Sequence, residues 1–130
     1  MKAQLQVMSD VGSIVNASSI AGITGRSKNA AYSAAKHGVV GLTRSAAKEF
    51  GGRQIRVNCK SLVPTSITKR GLTGSGICPG VIDTPMVAAS ARIAAENKVE
   101  GTVNPCALER VGRPEEIAKP IAFLLSDESS

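Results

Sequence analysis

Tyr32 and Lys36 stand four residues apart near the head of a helical stretch, with Ser19 thirteen residues upstream of the tyrosine and Pro79-Gly80-Val-Ile-Asp-Thr84-Pro downstream. A phenol is a poor acid or base near neutral pH, because its ordinary pKa is about 10. A helix places positions i and i+4 on one face, so the Lys36 ammonium can lie beside the edge of the Tyr32 ring and favour the phenolate. Tyr32 then becomes a general acid or base for a carbonyl or carbinol. Ser19 supplies a hydrogen bond to the oxygen that gains charge. This is redox chemistry.

The weight comes from the context. Gly12-Ser-Ile-Val-Asn-Ala-Ser-Ser19-Ile-Ala-Gly, Tyr32-Ser-Ala-Ala-Lys36, Ile55-Arg-Val-Asn-Cys59, Cys78-Pro-Gly-Val-Ile-Asp-Thr-Pro-Met86 and Arg110-Val-Gly-Arg-Pro-Glu-Glu-Ile-Ala118 occur in that order. Together they resemble the short-chain dehydrogenase/reductase family over nearly the whole chain except one interior block. The resemblance implies an α/β fold, a partial Rossmann-like doubly wound parallel sheet. It also implies an NAD- or NADP-dependent exchange between an alcohol and a ketone by a Ser19-Tyr32-Lys36 mechanism. Tyr32 and Lys36 would also touch the cofactor, Lys36 through the ribose hydroxyls. The Pro79-Gly80 segment would face the cofactor, and the Ile82 backbone and Thr84 hydroxyl would hold the nicotinamide carboxamide. The helix Ala30–Phe50 would pair with its counterpart in a second subunit.

The positioning elements are legible from local pattern. Met1–Met8 reads as the tail of a helix, followed by a turn. Ser13-Ile-Val-Asn16, a short apolar run between turn residues, reads as a strand buried on both faces of a parallel sheet. Ligand crevices of such sheets lie outside the carboxyl ends of the strands, which favours Ser19 as functional and leaves turn capping to Ser18. Ala30–Phe50 reads as a narrow helix rich in small residues, closed by Gly51-Gly52. His37 is expected to be solvated, away from the Tyr32/Lys36 face. Ile55–Cys59 is a second strand. Thr84 opens a further helix as cap, ligand contact, or both. Pro114 starts the last helix, with Glu115 and Glu116 in its first turn and a kink expected at Pro120.

Composition removes several classes. A chain of 130 residues with 42% hydrophobic content is one globular unit. The net charge of +6 owes half its excess to Lys60, Lys69 and Arg70. The rest is scattered, and three aromatics make no stacking platform for nucleic acid. Three cysteines without a CxxC pair argue for a reducing compartment and no metal site. No leader or membrane span is read, which gives a soluble, cytoplasmic expectation.

Two departures from the family pattern matter. The family's glycine-rich strand–turn–helix, which receives the cofactor pyrophosphate, is not recognisable, nor is the upstream Asn of its proton relay. Residues 1–130 therefore read as one incomplete Rossmann-like domain, the middle-to-late part of a longer enzyme. The acidic or basic residue that selects NAD or NADP belongs to the missing half, and no substrate signature follows Thr84. The block Lys60–Gly76 also separates the strand from Ile77-Cys-Pro-Gly, where the family runs on within a few residues. Asn-Cys-Lys-Ser can be encoded with a splice-donor-like GTAAGT, Gly-Leu-Thr with a branch-site-like CTAAC, and Ser75-Gly76 with an acceptor AG. A translated intron accounts for the block better than a true loop does. Two functions follow: an alcohol/ketone oxidoreductase, or a catalytically inactive product that associates with full-length relatives through Ala30–Phe50. The unseen phosphate turn favours the second for the chain as written and the first for its gene.

The mature transcript is expected to join Asn58-Cys directly to Ile77 and to extend upstream into a glycine-rich strand–turn–helix. Long-read transcripts that all retain the block and carry no upstream coding sequence would refute this.

Overall fold

The computed structural model describes residues 1–25, 27–59, 80–98 and 110–129. The block Lys60–Gly76, Cys78, Cys106 and the expected cofactor-facing Pro79 lie outside the described residues. Within them the order is α1 (Lys2–Val7), β1 (Ser13–Asn16), α2 (Ala30–Phe50), β2 (Arg56–Cys59), α3 (Pro85–Glu96) and α4 (Pro114–Leu125), with 3₁₀ turns at Ile20–Gly22, Gly51–Arg53 and Asp127–Ser129.

Alanine-rich sequence gives α2 strong helical propensity. Its buried residues Ser33, Val40, Thr43, Ala46 and Ala47 recur at helical spacing and form one stripe. That stripe lies on β2. Ala46 and Ala47 pack with Leu5, Ile55 and Val57, ringed by Met1, Met8, Ile14 and Phe50. Nearer the carboxyl end of the strand, Val40 meets Cys59, beside Ile23 and Val39. Ile55 and Val57 are almost wholly enclosed, at 1% and 0% exposure, and each such side chain contributes about 1.5–3 kcal/mol. Thr43 is equally enclosed, yet its hydroxyl is satisfied. It donates to the Val39 carbonyl (2.7 Å) and accepts from the Asn16 side-chain amide (2.9 Å), so a polar pair fastens the end of β1 to the middle of α2.

β1 and β2 run parallel, with Ser13 opposite Arg56, Ile14 opposite Val57, Val15 opposite Asn58 and Asn16 opposite Cys59. Two parallel strands need a crossover, and α2 provides it. The result is a βαβ unit, the building block of an α/β doubly wound sheet. β1 differs from expectation: all four of its residues are half-buried, since among the described strands it has β2 alone as neighbour. β2 carries the enclosed positions instead.

The exit from α2 also departs from the glycine-cap reading. Gly51 stays right-handed (φ −58°) and the chain tightens into a 3₁₀ turn, so the left-handed position falls on Gln54 (φ 55°). That turn presents Arg53, whose guanidinium donates to the Leu5 carbonyl (2.9 Å), the Met8 carbonyl (2.6 Å) and Asp10 Oδ1 (2.7 Å). It binds the carbonyl end of α1, where a cation complements the helix dipole. Arg56 serves α4 in the same way. It donates to the Ser126 carbonyl (2.9 Å) and to Ser129 Oγ, while its cross-strand partner Ser13 donates to the Leu124 carbonyl (2.8 Å). α4 continues through Pro120 to Leu125, so the proline does not end the helix.

Entry into β1 carries strain. Val11 is left-handed at φ 63°, a genuine outlier for a β-branched residue, and is held there by its N–H bond to the Arg53 carbonyl (3.1 Å). Such strain costs about 1–3 kcal/mol, more than the ~0.4–1 kcal/mol of unfolded-chain entropy that glycine adds. Val11→Gly is therefore expected to raise the urea midpoint of the chain by an amount equivalent to about 1 kcal/mol. An unchanged or lower midpoint would rule out strain at this turn.

Candidate active site

The carboxyl end of β1 and the first turns of α2 bring three of the expected residues to one place. Lys36 Nζ lies 5.6 Å from the centroid of the Tyr32 ring and donates to the Ala17 carbonyl (3.2 Å). The charge sits over the ring face, whereas the sequence reading placed it at the ring edge. A helical side chain leans toward the amino end of its own helix, and the Ala17 carbonyl draws the ammonium along that line. Tyr32 is 38% exposed, so part of its side chain is open to solvent.

Ser19 is extended and opens the turn Ile20–Gly22, with its Oγ accepting from the Ala21 N–H (3.2 Å). The described residues give its hydroxyl hydrogen no acceptor, so Ser19 can still donate to a substrate oxygen. Ser18 is buried, and its hydroxyl donates to the Lys36 carbonyl (3.0 Å). The two serines thus divide their tasks differently from expectation. Ser19 caps the turn and Ser18 ties the strand end to α2, because neighbours in extended chain point to opposite sides. His37 is exposed and its Nδ1 pairs with the Ser33 carbonyl (2.9 Å), which leaves it outside this group.

The second cluster lies on residues 80–84. Thr84 occupies the N-cap position of α3 in extended conformation, but its side chain makes no capping bond. Pro85, which has no N–H, fills the first helical position. The Thr84 hydroxyl is therefore not committed to the helix. Ile82 forms a parallel bridge with Gly112: Asp83 N–H donates to the Gly112 carbonyl (2.8 Å) and Gly112 N–H to the Val81 carbonyl (3.0 Å). That pattern turns the N–H and C=O of Ile82 itself to the opposite side. Gly80 stands half-buried at the start of the segment.

Next to the bridge lies a junction that sequence reasoning assigned only to the helix dipole. Arg110 grips Glu116 through two nitrogens (2.8 and 2.6 Å), and Glu116 also accepts the Arg113 N–H (2.7 Å). This is the acidic half of a capping box; Arg113 itself has no acceptor to complete it. Arg110, then the backbone bond from Arg113, pulls the Glu116 carboxyl down to about 2 from 4.5. Glutamate at the third helical position behind an arginine was the available signal. Ser18 and Gly22 were also missed as structural partners of Lys36, and only a knowledge of which backbones approach closely would have found them.

Comparison with known proteins gives the family. A family model described as Enoyl-(Acyl carrier protein) reductase matches residues 1–130. The chain belongs to the short-chain dehydrogenase/reductase family. It is 50% identical over 132 residues to the short-chain dehydrogenase/reductase aba4 of Botryotinia fuckeliana, covering 100% of this chain and 45% of that protein. A short chain dehydrogenase family protein from Francisella tularensis superposes with a TM-score of 0.77 at 26% identity, over 98% of this chain and 49% of the other. 4-Hydroxyisoleucine dehydrogenase complexed with NADH gives 0.61 at 31% identity, over 91% and 40%. The chain thus spans about half the length, or less, of these relatives. The α/β fold is a partial Rossmann-like one. Among the described residues no helix is long and apolar enough to cross a membrane.

The depressed Glu116 carboxyl yields a signed pH dependence. A group whose folded value lies below its unfolded one supports the fold above the unfolded value and loses that support as pH falls through the folded one. Anchoring of the α4 amino end should therefore weaken between about 4.5 and about 2. Carbon-detected titration of Glu116, followed alongside hydrogen exchange at Arg113, reads this directly. Titration at the ordinary 4.5 would disprove the junction.

Proposed function

We propose that the chain carries the proton-transfer and nicotinamide-facing side of an NAD(P)-dependent oxidoreductase that interconverts a small alcohol and a ketone. The observation that carries this reading is the Lys36 ammonium set over the Tyr32 ring, beside the strand end that holds Ser19. Ser19 Oγ donates to the carbonyl oxygen and fixes its orientation. Tyr32 Oη gives its proton to that oxygen in reduction and takes it back in oxidation, with the Lys36 ammonium held over its ring.

The residues fit a nicotinamide cofactor. The outward-turned backbone of Ile82 and the uncommitted Thr84 hydroxyl present donors and an acceptor suited to a carboxamide. Gly80 lies in the same segment, and Pro79 is assigned with it from sequence. Lys36 serves the ribose hydroxyls. When bound, the nicotinamide supplies or accepts the hydride; NADH in 4-hydroxyisoleucine dehydrogenase supports that choice. The pyrophosphate site is assigned to sequence that the relatives carry and these 130 residues do not match. The exposed face of α2, with Ala34, Ala35, Gly38 and Gly41 beside a half-exposed Leu42, is the proposed contact with a second subunit.

The 130-residue chain alone is expected to show no saturable NADH or NADPH binding below millimolar concentration, since its contacts reach only the nicotinamide end. A chimera joining the first half of the Botryotinia relative to residues 1–130 without Lys60–Gly76 is expected to reduce ketones. In it Tyr32→Phe should lower turnover by about 10² or more with little change in cofactor affinity. Lys36→Ala should damage both. Near-normal turnover of the Tyr32→Phe chimera would overturn the assignment.

A further inference from the structure

We infer that Ser18 and Gly22 are positioning residues that set the height of Lys36, and with it Tyr32, against the strand end that carries Ser19. Three contacts converge there. The buried Ser18 hydroxyl donates to the Lys36 backbone carbonyl (3.0 Å), which can accept a second donor besides its helical one. The Lys36 ammonium reaches back to the Ala17 carbonyl (3.2 Å). Between these, Gly22 presses against the same turn of α2. A Cβ at Gly22 would stand 2.8 Å from the Lys36 carbonyl oxygen, 3.0 Å from its carbon and 2.4 Å from Ser18 Oγ.

Two of those atoms belong to helix backbone, which cannot yield without moving α2 itself. Only glycine allows the turn and the helix this separation. Ala17, Ser18, Ser19 and Gly22 all lie within one six-residue segment, so a single rigid piece of chain holds Ser19 and fixes where Lys36 stands. The same segment therefore dictates the relation between hydrogen-bond donor and acid/base pair. Conformational freedom is not what Gly22 provides, because its φ is not positive; its contribution is the missing methyl.

The inference rests on the proposed roles of Ser19, Tyr32 and Lys36 for its functional meaning, while the geometry can be tested without them. Tyr32 is the sole tyrosine and the chain has no tryptophan, so its ring signals in a magnetic-resonance spectrum are unambiguous. The full chain would be compared with Ser18→Ala and Gly22→Ala. The readout is the upfield ring-current shift that Tyr32 imposes on the Lys36 ε-protons. The Asn16–Thr43 amide contact reports whether α2 still lies on the sheet.

Gly22→Ala is expected to reduce the ring-current shift by at least half with the Asn16–Thr43 contact intact, and Ser18→Ala to reduce it by a smaller fraction. In Gly22→Ala/Ser18→Ala the shift should stay low, because the Lys36 carbonyl still blocks the added methyl. Wild-type shifts in the folded single variants would overturn the inference, and if Gly22→Ala does not fold, Ser18→Ala decides alone. Absence of turnover in the chimera, together with the expected ring-current losses in the variants, would sink the oxidoreductase reading and leave this one standing.

Discussion

The seating of one face of α2 on β2 is the interaction on which the placing of Ser19, Tyr32 and Lys36 depends. Ala46, Ala47 and Thr43 keep that face thin enough for Ile55 and Val57 to be enclosed completely. The crossover geometry then makes the two strands parallel, and the parallel pairing brings the carboxyl end of β1 beside the opening turns of α2. A bulkier residue at Ala46 or Ala47 would lift the helix and separate Ser19 from Tyr32 and Lys36 together. The grouping of Ser19 with Tyr32 and Lys36 thus depends on small residues ten or more positions further along the helix.

Polar contacts refine what apolar burial leaves loose. Burial of the α2 stripe fixes which face meets the sheet, but it allows the helix to slide along its axis by a fraction of a turn. Asn16–Thr43 and Ser18–Lys36 each join a named atom of the strand segment to a named atom of the helix, and such bonds discriminate between positions that packing treats as equal. Both are part-buried, and on the helix side each is a second bond, since Thr43 also donates to the Val39 carbonyl and the Lys36 carbonyl keeps its helical donor.

Much of this was legible from the chain alone, and the parts that were not share one cause. Helical spacing gave α2 its observed bounds, Ala30–Phe50, and turn residues bracketed both strands to within one position. Tyr32 and Lys36 meet because a helix has a fixed pitch. Local sequence says nothing of which backbone a serine or glycine will find across space. Hence the turn cap at Ser19 in place of Ser18, the left-handed position at Gln54 in place of Gly51, and the grip of Arg110 on Glu116 all came from tertiary contact. Motif resemblance pointed to Ile82 and Thr84. Their orientation needed the Gly112 bridge, formed by a residue thirty positions later.

Arg56 and Ser13 face each other across the strand pair and hold the carbonyl end of α4 between them. A slip of the strands by one residue would separate these two donors and turn each side chain of the moved strand to the other surface. The tail of α4 can then satisfy one donor or the other, never both. Full bonding of the α4 tail therefore requires the observed strand register.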